Sequence, residues 1–255
     1  MEDRAPDPTA PPVDQTERFR ERIEAQAQRQ MNKFRRGVRG VHPRHCPICG
    51  YYGKFTAFGH PPRFDARCPS CNALERHRLI RLFADRTGFF GPGQAVLHFA
   101  PEPQLRPMIQ KTVDRYETSD LSERRPVTHR VDIEETGLPE ASYDRIVCNH
   151  VLEHVDDAKA LAEMFRLLKP GGKALLSTPI CEGWAETYEN PEITSREGRI
   201  VHFAQADHIR YYGRDLRDRI RAAGFDLTEF TAVEPDVLTY GLMRGETLFI
   251  AEKPA

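Results

Sequence analysis

Between residues 94 and 255 the chain alternates short apolar runs with helical stretches, and this pattern constrains its fold more than any other feature. Runs expected to form strands are AVLHFA (95–100), RYETSDL (115–121), HRVDI (129–133), YDRIVCNHV (143–151), GKALLSTP (172–179), FDLTEF (225–230) and TLFIAEK (247–253). Helices are expected at 103–112, 156–168 and 213–223, the last stopped by Gly224, because glycine reaches the left-handed conformation that ends a helix. Such alternation predicts an α/β fold, a mostly parallel sheet with helices on both faces. Segment 180–212 is rich in Tyr, His, Glu and Arg and has no clean periodicity, so it reads as a lid.

Ahead of this domain stand two C-x-x-C pairs, Cys46-Pro-Ile-Cys49 and Cys68-Pro-Ser-Cys71, with eighteen residues between them. Four thiolates at that spacing suit a tetrahedral Zn²⁺, and a closed set of four sulfurs leaves no position for a reacting water. The metal expected here is therefore structural. GYYGKF (50–55) fits a β-hairpin between the two knuckles. Tyr51, Tyr52, Phe55, Phe58 and Phe64 read as the core of this module, with base stacking as the alternative. Cys148 and Cys181, at strand ends, read as packing residues.

The formal net charge of −1 hides an asymmetry. Residues 29–81 carry twelve Lys and Arg against Asp65 and Glu75, a balance of +10, so the remainder carries −11. Either the basic segment 29–81 meets an anionic partner such as nucleic acid, or the two halves dock on each other. The proline-rich, acidic start reads as a disordered tail over 1–15, with none of the features of a secretory signal. A charged helix follows over 16–40, with an apolar stripe through Phe19, Ile23, Ala27, Met31 and Phe34. The cysteine module spans 41–75 and the main domain 76–255. No run of about 18 apolar residues is present, so no membrane span is expected and the chain reads as cytoplasmic.

The segment YDRIVCNHVLEHVDDAKALAEMFRLLKPGGKALLSTP (143–179) resembles the fourth-to-fifth-strand region of class I S-adenosylmethionine-dependent methyltransferases, type 11-like. DHIRYYGRDLRDRIRAAGF (207–225) is similar to the helix before their last two strands. The resemblance covers about 94–255 and implies a Rossmann-like, seven-stranded sheet with S-adenosylmethionine as cofactor. It implies that Asp120 accepts the ribose hydroxyls beside Leu121, that Asp132 and Ile133 meet the adenine, and that Asn149 and His150 line the cleft. The chain departs from the family at its first loop. His98 stands at the usual acidic position, and Ala100, Glu102 and Gln104 replace three glycines. Either the domain is a non-catalytic adaptor, or His98, Ala100, Pro101 and Glu102 form an altered grip in which Glu102 meets the cofactor's amino group.

Methyl transfer also needs a proton acceptor for an oxygen or nitrogen nucleophile, and His150 and His208 are the candidate bases. Tyr188, Arg196, His202, Asp207, Arg210 and Tyr211 in the lid are candidate substrate contacts. The reading that results is a methyltransferase acting on a small or glycan-type metabolite. An RNA methyltransferase that captures its substrate through the basic ribbon is the rival enzyme reading.

Overall fold

The computed structural model describes residues 15–255 except 60, 124 and 125. The tail expected over 1–15 therefore lies outside the described residues, apart from Gln15. Helix α1 (Gln15–Gly37) leads into an antiparallel sheet of β1 (Arg39–His45), β2 (Tyr52–Phe58) and β3 (Arg63–Arg67). Next come α2 (Glu75–Thr87), β4 (Ala95–Phe99), α3 (Arg106–Gln110), β5 (Arg115–Ser119), β6 (Tyr143–Asn149), α4 (Asp157–Leu167) and β7 (Leu168–Ser177). The chain ends with β8 (Tyr188–Glu189), α5 (Arg196–Phe203), β9 (Arg210–Tyr211), α6 (Leu216–Ala222), β10 (Asp226–Thr231), α7 (Asp236–Tyr240) and β11 (Thr247–Glu252).

The main sheet runs β10-β11-β7-β6-β4-β5. Its β5–β4, β4–β6 and β6–β7 pairs are parallel, and β11 and β10 complete it antiparallel. The central strands β4 and β6 and the second half of β7 are buried on both faces, which is why their sequences run apolar rather than alternating, whereas the edge strands β5 and β10 are polar. Leu97, Ile146, Cys148 and Leu176 pack with Leu161 and Met164 of α4 and Ile220 of α6. Their neighbours Val96, Val147 and Leu175 pack on the other side with Leu79, Ile80 and Phe83 of α2.

Six strands pair in this sheet, not the seven expected. Residues 129–133 make only single bridges, Ser119 to His129 and Asp132 to Glu135. The reason is local. The Thr118 and Thr128 hydroxyls accept each other's backbone N–H, and Asp132 Oδ1 accepts the Glu134 N–H, a turn that curls the chain away. The expected lid contains the short β8–β9 pair and α5, whose N-terminus Ser195 caps through the Gly198 N–H. The Lys-Pro-Gly-Gly turn takes the chain from α4 straight into β7. Gly171 sits at φ +72, and a Cβ on Gly172 would lie 2.8 Å from the Lys169 carbonyl oxygen.

The small module is joined to the large one by a buried arginine. Arg78 is wholly buried and lies over the Phe55 ring at 4.6 Å. Its guanidinium donates to the carbonyls of Ala73 (2.7 Å) and Ala66 (3.1 Å) on one side and of Tyr240 (2.7 Å) and Gly241 on the other. A buried cation is tolerated only when its donors are satisfied in this way. The apolar stripe of α1 stays uncovered, with Phe19, Ile23, Met31 and Phe34 exposed. No helix among the described residues is long and apolar enough to cross a membrane.

Candidate active site and metal centre

The four cysteines converge at the tip of the small sheet. Cys46 Sγ lies 3.7 Å from Cys71 Sγ, and Cys49 Sγ lies 3.7 Å from Cys68 Sγ. A tetrahedron with metal–sulfur bonds of about 2.3 Å has edges close to this length. Each knuckle closes with a backbone turn, Gly50 N–H to the Cys46 carbonyl and Asn72 N–H to the Cys68 carbonyl. The donor set fits Zn²⁺ in a closed structural site. Around it, Phe55 and Ala73 form the module's core and Tyr51 packs against them. Tyr52 and Phe64 are exposed, so the five aromatics divide between core and surface.

The basic residues of this module are largely occupied. Arg44 pairs with Asp65 (3.0 Å), Arg63 with Glu75 (2.9 Å), Arg76 with Glu102 (2.8 Å) and Arg81 with Asp85 (2.7 Å). Arg44 and Arg63 use the segment's own two acids and Arg81 pairs along its own helix, so of these four pairs only Arg76–Glu102 docks the basic segment on an acid elsewhere in the chain.

A cleft of about 810 Å³ opens at the carboxyl edge of β4, β5 and β6, a size usual for small-molecule sites. Ala100, Asp120, Leu121, Ile133 and His150 line it. Ala100 adopts φ +47, the left-handed conformation for which glycine is normally needed, and its N–H donates to the Ser119 carbonyl at 2.8 Å. The loop thus keeps the backbone shape without the glycine. Asp120 Oδ1 accepts the Ser122 N–H at 2.8 Å, which fixes that carboxylate at the rim.

Other residues expected around the cofactor stand elsewhere. His98 is fully buried in β4, bonded through Nδ1 to Tyr116 Oη at 2.9 Å, and burial pushes its pKa down to about 4. Pro101 is buried outside the cleft wall. Glu102 is turned toward the metal module. One oxygen meets Arg76 Nε at 2.8 Å and His77 Nε2 at 2.7 Å, and the other accepts from Asn149 Nδ2 at 3.1 Å. Asn149 in turn accepts from Ser177 Oγ, so it braces the loop from beneath the cleft. Asp132 is exposed and outside the cleft wall.

A second cavity of about 520 Å³ lies between the two modules. Arg63, Glu75 and Arg76 form one wall, and Thr178, Glu246 and His150 the other. His150 therefore lines both spaces. Its backbone is left-handed (φ +52), and its Nδ1 lies 3.2 Å from Glu153 Oε1. Glu153 is buried; burial pushes its pKa up, but His150, its own backbone N–H and the Thr178 hydroxyl together outweigh this and hold it below the usual carboxylate range. Glu246 is the opposite case. Its Oε2 is buried without a hydrogen-bond partner, and burial, with Glu75 nearby, pushes it up to about 7. Nothing local in the sequence marks Glu246 or Thr178, because the cavity arises from docking segments far apart in the chain.

Of the expected substrate contacts, Asp207 reaches the first cleft. Arg210 is held by Asp157 and Glu189, with its Nη1 also donating to the Val155 carbonyl. Tyr188 Oη bonds His202 Nδ1 at 2.6 Å, Tyr211 pairs with Tyr188 across β8 and β9, and Arg196 forms an ion pair with Glu24 of α1. These residues shape the lid. His208 is buried beside His154, with its Nδ1 donating to the Phe203 carbonyl.

A parallel sheet with a ligand-sized cleft at its carboxyl edge defines a nucleotide-type cofactor fold. A methyltransferase-domain family model matches residues 21–229. A probable S-adenosylmethionine-dependent methyltransferase of Mycolicibacterium smegmatis is 41% identical over 124 residues, 46% of this chain and 44% of that protein. The ubiquinone/menaquinone biosynthesis C-methyltransferase UbiE of Proteus mirabilis is 32% identical over 117 residues, 40% of this chain and 46% of its own. The chain thus spans under half the length of these curated relatives. One chain of the Haloferax volcanii complex between the Trm112 methyltransferase activator and a methyltransferase shares the fold, with a TM-score of 0.50 at 16% identity over 71% of this chain and 91% of that one. The chain belongs to the methyltransferase-domain family and carries a class I S-adenosylmethionine-dependent methyltransferase domain.

Proposed function

We propose that this chain methylates an oxygen or nitrogen of a small polar metabolite, glycans included, with the donor in the first cleft and the acceptor in the second cavity. The observation that carries this reading is the position of His150, whose side chain belongs to both spaces. On the donor side, the left-handed backbone at Ala100 opens the turn after β4 as a glycine would. Asp120 is placed to accept ribose hydroxyls, and Leu121 and Ile133 supply apolar surface for the adenine.

Bound there, S-adenosylmethionine supplies a methyl group on a sulfonium. His150 Nδ1–H donates a hydrogen bond to Glu153, which keeps the Nε2 lone pair free as the base for the acceptor's proton. The backbone strain at His150 is of the kind that accumulates at working sites. Holding acceptor and donor in line accounts for most of the rate. Arg63 of the metal module and Arg76 at the start of α2 wall the acceptor cavity, so the ribbon acts as part of the active site's shape.

Calorimetric titration of the zinc-loaded protein with S-adenosylmethionine and S-adenosylhomocysteine tests the donor half, and absence of binding to both overturns it. Release of S-adenosylhomocysteine in the presence of fractionated cell extract tests the acceptor half. Turnover is expected with the small-molecule fraction; turnover with the RNA fraction alone sinks the small-acceptor reading.

A further inference from the structure

Beneath the junction of the two spaces lies a cluster of which the proposed methyl transfer uses only Glu153, as the partner of His150. Glu153, His154 and His208 each bring one ligand-type atom within 4.8 Å of the other two. Glu153 and His208 are buried, whereas the His154 side chain is about 28% accessible and forms part of the first cleft's wall. The cluster is thus closed on the protein side and reached from the cleft.

Neighbouring carbonyls fix which nitrogens carry protons. His154 Nδ1 lies 3.1 Å from the Asp207 carbonyl oxygen, and His208 Nδ1 lies 3.1 Å from that of Phe203. A carbonyl oxygen can only accept, so each Nδ1 donates and each Nε2 keeps its lone pair. Metal-binding imidazoles are oriented by outer hydrogen bonds of this kind. The Glu153 carboxylate receives His150 Nδ1 on one oxygen and Thr178 Oγ1, at 2.9 Å, on the other, and each oxygen retains a further lone pair. Among the described residues no hydrogen bond joins Glu153 to either imidazole, nor one imidazole to the other. Three ligand-type atoms therefore lie within reach of one metal ion, with no hydrogen bond among the three side chains.

We propose that Glu153, His154 and His208 form a site for a divalent first-row metal ion. Two imidazoles and one carboxylate suit Mn²⁺, Fe²⁺, Co²⁺ or Zn²⁺, and three protein ligands leave positions open for water or an acceptor oxygen. The set differs from the ribbon in having no sulfur, so the two sites can be told apart by spectrum. A hydroxyl bound to such an ion ionises more readily than a free one. The site itself depends on neither the acceptor's identity nor the methyl donor.

The test uses Co²⁺ as the probe on full-length protein stripped of metal and reconstituted. The ribbon gives intense thiolate-to-cobalt charge transfer, and a site of two imidazoles and a carboxylate gives only weak ligand-field bands. Two equivalents of Co²⁺ are expected, one of them without charge transfer. His208→Gln and Glu153→Gln should weaken that second equivalent at least tenfold while the charge-transfer band persists, which shows that the ribbon remains assembled. His154→Gln, at a position about 28% accessible, should do the same if the buried variants misfold. Binding of a single equivalent by the unaltered protein overturns the proposal, as does a second equivalent that all three variants retain at full affinity.

Discussion

His77, in the first turn of α2, and Glu102, in the loop after β4, meet at 2.7 Å through Nε2 and Oε1. Helix α2, directly after the metal module, thereby grips the very loop that glycines would shape in a more usual member of the family. Burial pushes the Glu102 pKa up, but the bonds from His77 and Arg76 hold it well below its ordinary value of 4.5. Its stabilisation is therefore present above about pH 4.5 and lost as the pH falls below it. Glu102→Ala strands Arg76 and His77 beside an empty site and is expected to cost about 3 kcal/mol, read from urea unfolding. Glu102→Gln should lose stability yet change donor affinity less than about tenfold. A large affinity loss at unchanged stability would mean instead that Glu102 touches the donor.

Metal removal should act at a distance. With Zn²⁺ stripped by a chelator, the cysteines take up protons, lose their common ligand and the knuckle turns loosen. The wall of the second cavity then loses Arg63 and Arg76. Expected outcomes are loss of near-ultraviolet circular dichroism from the module and loss of turnover, with weaker donor binding through the released loop. Zinc content, spectrum and calorimetry on the same sample check this.

His150→Ala is expected to lower kcat by about 10²- to 10⁴-fold, with the donor's Kd changed only a few-fold. A fall in donor affinity as large as the fall in kcat would make His150 a binding residue rather than a base.

Glu246 sets a pH dependence of the opposite sign to that of Glu102. Its folded pKa, about 7, lies above its ordinary 4.5, so the folded protein holds this proton more tightly than the unfolded chain. Stability should fall as the pH rises between those values. Glu246→Gln removes that decline and should gain up to about 3 kcal/mol over the parent between pH 5 and 8. Urea curves at both pH values decide it; parallel behaviour of the two proteins would show the carboxylate to be ordinarily solvated.

Ala100→Gly offers a direct reading of backbone strain. A Cβ at φ +47 costs about 1 kcal/mol or more, partly offset by the greater freedom of glycine in the unfolded chain. The variant should be the more stable protein by a few tenths of a kcal/mol to about 1 kcal/mol, with donor affinity kept.

The strands around Val96, Val147 and Leu175 were legible because burial on both faces leaves an unbroken apolar run. Cys46, Cys49, Cys68 and Cys71 were legible because ligand spacing is local. Residues 129–133 looked like a strand, but their ladder is displaced by the side chains of Thr128 and Asp132, which the apolar pattern does not register. Glu102 was placed correctly in the loop, yet its direction depends on Arg76 and His77, about 25 residues earlier. Glu246, Thr178 and Arg63 become neighbours only when the modules dock, so no window of sequence contains that cavity.

Arg78 connects carbonyls of Ala66 and Ala73 with those of Tyr240 and Gly241 through one guanidinium. Separating two modules that share such a buried rivet breaks its carbonyl bonds and uncovers the Phe55 ring beneath it at once, which couples the unfolding of one to the other. The chain should accordingly behave as a single cooperative unit, and a fragment beginning after the ribbon would be a poor stand-in for the enzyme.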